Sequence, residues 1–264
     1  MRTALDFTLF QPQKRFVNDV QALWSASVVS RSEQPVERWL NSDACSGMLF
    51  ILGSDIDLDD TSFSKGVLLL PVSKKAQLIR MPPRTQLVGV RFHPGISFSF
   101  FGTLYRQPKY VPLNIGEHFS ADLNGLYCGL GKRQGHYAKI TALYRWLLHT
   151  IESVNGIPLS LMTALNALSQ NIAVGSLREY VSLSQRQTER QFKTWMNMTP
   201  KYYQRILRVK SAMKVLKERS ELSLVAIATN QGFTDQAHMN REFKHIANIT
   251  PREYRIRLQL MERG

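Results

Sequence analysis

Arg190, Phe192, Lys193, Asn197, Thr199, Pro200 and Tyr203 recur fifty-one residues later, in the same order and spacing, as Arg241, Phe243, Lys244, Asn248, Thr250, Pro251 and Tyr254. The chemistry these residues offer is recognition rather than bond breaking. A guanidinium donates two parallel hydrogen bonds to a guanine edge or to a phosphate. Asn tolerates the left-handed conformation that ends a helix, Thr caps the next helix, and Pro fits that helix's first turn. Each copy therefore spells a helix, a tight stop and a second helix, with an arginine just ahead of a packing phenylalanine.

The elements that must carry these residues are legible upstream. In SLVAIATNQGFTDQAHMNREFK, residues 223–244, Ser223 is placed to cap a helix that turns Leu224, Ile227 and Ala228 inward, and Gly232 permits a sharp turn. A second helix is expected from about Asp235, with Phe233, Met239 and Phe243 packing and Gln236, His238, Asn240 and Arg241 largely outward. The first copy follows the same plan more loosely: SLREYVS at 176–182, a turn at Ser182 and Leu183, then SQRQTERQFKTWM from Ser184. A helix, a turn and a second helix form the motif whose second helix enters the major groove of DNA. Between the copies runs YYQRILRVKSAMKVLKERS, where Ile206, Val209, Met213 and Leu216 form an apolar stripe flanked by Arg205, Arg208, Lys210, Lys214 and Lys217. About fifteen helical residues span roughly 22 Å. With a motif body at each end, that length suits two recognition helices one duplex turn, roughly 34 Å, apart.

Charge agrees with an anionic partner. The chain of 264 residues carries a formal +14 and has a pI near 10.0. Residues 1–158 hold 17 Lys and Arg against 12 Asp and Glu, whereas residues 159–264 hold 17 against 8, so the basic excess is concentrated where the repeat lies. A hydrophobic fraction of 44% with 20% charged residues is globular. The longest apolar runs, GMLFIL and GVLLLPV, are too short to span a bilayer, and the N-terminus lacks a cleavage site, so a cytoplasmic protein without a membrane partner is expected. Cys45 and Cys128 stand in unrelated contexts and read as ordinary buried thiols. His93, His118, His136 and His149 show no paired spacing, so neither a metal nor a cofactor is expected.

Up to about residue 115 the chain is strand-like, with apolar runs broken by Asp, Ser, Gly and Pro clusters, which points to an antiparallel sandwich or barrel. From about 117 the period becomes helical. YAKITALYRWLLHTI, residues 137–151, places Ile140, Leu143, Tyr144, Leu147 and Ile151 on one face. Gly and Pro in SVNGIPL then mark a boundary. The expected organisation is α+β: a β-domain with a helical appendage at 1–152, a linker at 153–159, and an all-helical domain at 160–264.

The segment 172–257 resembles the DNA-binding domain of the AraC/XylS family of bacterial transcription regulators, most closely in GFTDQAHMNREFKHIANITPREYR. The resemblance implies two helix-turn-helix subdomains bridged by a long helix and bound to adjacent major grooves of double-stranded DNA. Carried over by local motif, it assigns base reading to Arg186, Glu189 and Arg190 in the first subdomain, and to Gln236, Ala237, Asn240 and Arg241 in the second. Ala237 offers only apolar contact, for instance to a thymine methyl. His238 stands between a phosphate contact and a local cap. The first subdomain departs from the family at Arg178, where a small Ala is usual, at Ser182 in place of the turn Gly, and at Thr188 in place of a core Leu. The order of Trp24, GMLFILG, GVLLLPV and LVGVRFHPGISFSFFG is similar to the cupin-like N-terminal domain of some of these regulators, a domain that senses a small-molecule effector or mediates homodimerisation.

The resemblance implies a sequence-specific regulator, an activator by the family's commoner mode, with RNA polymerase as a further partner. An alkyl-damage repair enzyme with a similar DNA-binding domain needs a cysteine cluster that Cys45 and Cys128 do not supply, and an architectural protein relies on basic arms or minor-groove wedges. A non-enzymatic regulator is therefore the expectation. Within the first domain, helix 137–151 with Trp146 and Leu147 is either a dimer element or packed on its own sheet, and a ligand pocket is expected inside the barrel, between the strands Met48–Leu52 and Leu87–Phe92. The cluster Phe98, Phe100, Phe101 and Tyr105 reads as core.

Overall fold

A computed structural model describes residues 4–28, 34–102, 109–111, 120–151 and 156–263. The chain divides into two compact units: Met1–Leu40, Cys45–Val72 and Gln77–Ile157 in the first, and Asn41–Ala44, Ser73–Ala76 and Pro158–Gly264 in the second. Of the expected linker, residues 153–155 lie outside the described residues, as do His118 and Tyr105.

The first unit holds two antiparallel sheets. One is ordered β1 (Leu5–Phe10), β2 (Val20–Val28), β9 (Gln86–Phe92), β4 (Ser46–Ile51), β7 (Gly66–Leu70), β10 (Lys109–Val111); the other β3 (Val36–Leu40), β8 (Gln77–Met81), β5 (Ile56–Leu58), β6 (Thr61–Phe63). Every residue of β4 is buried because its near-continuous apolar run serves two cores. Met48 and Phe50 join Val67, Leu69, Val88 and Val90 in one core, under α2 (Ser120–Lys132) and α3 (His136–Ile151). Leu49 and Ile51 join Leu68, Leu87, Ile79 and Met81 in the other, between the sheets. The two-residue period of a strand makes this division. The Trp24 indole ring occupies the space beside Gly89, where any Cβ would collide with it.

Three expectations are corrected here. The strands β4 and β9 are hydrogen-bonded neighbours, Met48 opposite Val90, so they form one continuous wall and not two facing ones. Residues Ile96–Phe101 form a short helix, α1, inside the region read as strand-like, because Pro94 and Gly95 (φ 85°) end β9. Cys128 is exposed, because Leu123, Leu126 and Leu130 take the inner face of α2; Cys45 is buried. The amphipathic reading of α3 resolves towards its own unit. Ile140, Leu143, Trp146 and Leu147 are all buried on the sheet, and the Tyr144 hydroxyl donates to the Gln11 carbonyl at 2.7 Å.

The second unit is helical: α4 (Leu159–Ser169), a 3-10 segment (Val174–Glu179), α5 (Gln185–Met196), α6 (Pro200–Glu218), α7 (Leu224–Asn230), α8 (Gln236–Ala247) and α9 (Pro251–Arg263). Its central strut is α6, nineteen residues and about 28 Å long. Ile206, Val209, Met213 and Leu216 are buried along it, as the stripe requires, together with Tyr203 and Ala212. It packs against α4 and α5 at one side and α7, α8 and α9 at the other. No helix of the described residues is long and apolar enough to cross a membrane.

Candidate nucleic-acid interface

The repeated phrase becomes the same construction twice. Asn197 (φ 52°) and Asn248 (φ 55°) end α5 and α8 in the left-handed region. Thr199 then caps α6 by accepting from the Tyr202 N–H, and Thr250 caps α9 through a reciprocal pair with Glu253, whose carboxylate accepts from the Thr250 N–H at 2.8 Å. Those Thr250 donors hold the Glu253 carboxyl below the usual carboxylate range.

The second helix-turn-helix is formed by α7 and α8. Ser223 caps α7 by accepting from the Ala226 N–H at 3.1 Å, Gly232 (φ 72°) makes the turn, and Asp235 caps α8 by accepting from the His238 N–H at 2.6 Å. Phe233, Met239 and Phe243 are buried. Ala237 and Arg241 are exposed on α8, and Gln236 and Asn240 are half-buried beside them. His238 is turned into the motif. Its Nδ1 accepts from the Thr234 N–H at 3.3 Å, its ring meets Phe233 edge-on with centroids 5.7 Å apart, and its Nε2 lies 3.8 Å from Glu242 Oε1.

The first helix-turn-helix is looser. Ser184 and Gln187 form a capping box at the start of α5, and Thr188, Phe192 and Met196 are its buried face. Arg186, Glu189 and Arg190 are exposed, and Glu189 accepts from the Gln185 side-chain amide at 2.9 Å. The expected leading helix at 176–182 is instead the 3-10 segment Val174–Glu179, from which Leu177 alone is buried. A leading helix needs several inward residues, and Arg178 is exposed where one would pack. A cleft of about 330 Å³ opens there, lined by Gly175, Leu177, Arg178, Thr188 and Glu189 among others.

Two cationic side chains flanking the stripe of α6 face inward, which their sequence context did not reveal. Arg205 donates through Nε to Glu242 Oε2 at 2.7 Å and through Nη2 to Oε1 at 3.0 Å, and its guanidinium lies 5.0 Å from the Tyr202 ring centroid. The Glu242 hydrogen bond pushes the Arg205 pKa further up, so the guanidinium keeps its charge. The Arg208 guanidinium sits over Phe233, 5.6 Å from its centroid. Lys210, Lys214 and Lys217 remain exposed.

Residues 177–257 match the helix-turn-helix domain family, and residues 8–107 match a domain of unknown function, DUF6597. Over 88 residues, the chain is 30% identical to the HTH-type transcriptional regulator ArgR of Pseudomonas aeruginosa, covering 33% of this chain and 26% of that protein. By this domain, the chain belongs to the AraC/XylS family. A crystal structure of a regulator with an AraC-type DNA-binding domain from Chromobacterium violaceum shares 31% identity, covering 38% of this chain and 91% of that one at a TM-score of 0.35. ToxT of Vibrio cholerae aligns with 96% of this chain and 98% of its own at 11% identity and a TM-score of 0.48. The segment shared with ArgR is about a quarter of that relative's length. Within this domain, α5 and α8 are the second helices of the two helix-turn-helix units, and α6 joins them. What sequence reasoning passed over is Glu242, an acid at a buried position of α8, and its pairing with Arg205.

Proposed function

We propose that the chain is a sequence-specific transcription regulator that binds double-stranded DNA by laying α5 and α8 into successive major-groove segments. The observation that carries this reading is the matched construction of the two helices: each begins at a side-chain cap, ends at a left-handed Asn, and exposes an arginine, Arg190 or Arg241, at the same place in the repeat. Base reading falls to Arg186, Glu189 and Arg190 on α5 and to Gln236, Ala237, Asn240 and Arg241 on α8. His238 contributes indirectly, by bracing the start of α8. Lys210, Lys214 and Lys217 add attraction to phosphates that is independent of sequence.

Residues 1–152 act as the controlling part, through a small-molecule effector or homodimerisation, and 160–264 as the DNA-binding part, joined by 153–159. Activation through contact with RNA polymerase, in the cytoplasm, completes the reading; what supports it is the family's commoner mode. Selection from a random duplex pool with the full chain tests the core of the proposal. The expected result is an enriched motif bound at least about 10³ times more tightly than scrambled duplex. Enrichment of no motif would overturn it.

A further inference from the structure

The inner flank of α8 is held to α6 by charge where apolar packing would have sufficed. Glu242 is 9% exposed, and both of its carboxylate oxygens are engaged by the fork of Arg205 at 2.7 and 3.0 Å. Tyr202 supports that guanidinium from below, and its hydroxyl lies 3.2 Å from His245 Nε2, so a second residue of α8 is tied to the same group on α6. One turn earlier on α8, His238 reaches the same carboxylate at 3.8 Å, while Arg208 braces Phe233 beneath it.

Removing such a pair from water costs free energy, and well-packed apolar residues of similar volume are commonly as stabilising or more so. Net stability is therefore a poor reason for its presence. Geometry is a better one. Apolar contacts tolerate sliding and rotation, whereas a bidentate guanidinium–carboxylate pair satisfies its hydrogen bonds only in a narrow range of offset and angle. The pair joins α6, which carries both motifs, to the flank of α8 adjoining the face that presents Ala237, Asn240 and Arg241. A small rotation of α8 about its axis moves those side chains along the base edges.

We propose that Arg205 and Glu242 are positioning residues that set the register and tilt of α8 on α6, and thereby the sequence preference of the second recognition helix. This rests on the reading of α8 as a base-reading helix. The full chain is tested with two fluorescent duplexes, the one enriched from a random pool by the wild-type chain and a scrambled control, together with thermal melting. In the double variant Arg205→Met/Glu242→Leu, the melting temperature stays at or above that of the wild type. Affinity for the enriched duplex falls about tenfold or more, while that for the scrambled duplex changes less than about twofold. Reselection with this variant relaxes base preference in only one half of the site. Should the double variant melt early, Arg205→Lys, which keeps the charge and loses the fork, carries the test and is expected to lower the same affinity ratio. A wild-type ratio in whichever variant remains folded overturns the proposal. Arg241→Ala separates the two layers. If it leaves the ratio unchanged, the base-reading role of α8 fails; if it lowers the ratio while the pair variants do not, the positioning role alone fails.

Discussion

Arg190 and Arg241 are exposed on helices that are built alike, yet their surroundings differ. Arg241 stands on a helix joined to α6 by the Arg205–Glu242 pair, and Arg190 on one that borders a cleft. Substituting either by Ala is expected to cost about 1 to 3 kcal/mol on the enriched duplex, read by fluorescence anisotropy, and far less on scrambled DNA. Equal losses on both duplexes would make these arginines phosphate contacts. In the β-unit, Lys139 is only 7% exposed and donates to Gln86 Oε1 at 2.7 Å. Burial lowers its pKa from the ordinary 10.5, so the folded chain holds that proton less tightly than the unfolded one. Stability then rises with pH between the lowered value and the ordinary one, and the full cost is present below that window. Lys139→Met should therefore raise the melting temperature at neutral pH by about 2 to 4 °C, the shift that about 1 kcal/mol produces in a domain of this size. The gain should shrink towards pH 10.5; a gain that grows with pH would contradict it. The exposed positions of the arginines, the caps and the stop residues were legible in the sequence because they are set locally. Glu242 and Arg205 were not, since thirty-seven residues separate them and no periodic signal pairs a buried acid with a base on another helix.

The elements were legible to the degree that their hydrophobic period was unbroken. The construction of α7, turn and α8 follows Ser223, Gly232 and Asp235 as read, and α6 follows its stripe. The leading helix of the first motif was over-read, because Leu177 and Val181 by themselves do not supply a face that can hold a helix on α5. Thr188 is 4% exposed and spends its hydroxyl on the Ser184 carbonyl at 3.2 Å, beside the cleft; a Cβ added at Gly175 meets nothing within 4 Å. Thr188→Leu and Gly175→Ala should each stabilise the chain by about 0.5 to 1 kcal/mol, read by chemical denaturation, by filling that space or by reducing the freedom of the unfolded chain. A loss of stability in both would mean that the cleft is not available to larger side chains. In the β-unit, strand runs were found but not their pairing. A run such as GMLFIL announces burial on both faces, while the neighbours of β4 depend on partners distant in sequence.

For the whole molecule, the basic excess is concentrated in residues 159–264, and residues 1–158 carry most of the acidic residues. The face of α3 that once suited a dimer is spent on its own sheet, so association of the chain, where it occurs, uses other surface; Phe7 and Leu9 on the edge strand β1 are exposed. Sedimentation of the full chain with Phe7→Ser/Leu9→Ser compared with wild type checks this, a drop to monomer being expected if that edge pairs two copies. The central claim concerns both helices at once. Methylation interference on the enriched duplex with the full chain reads it directly, since methyl groups at guanine N7 block only major-groove contacts. Two clusters of interference about ten base pairs apart on one face of the duplex are predicted. A single cluster would contradict the account, leaving α8 as the reader and the looser first motif without a role in base recognition.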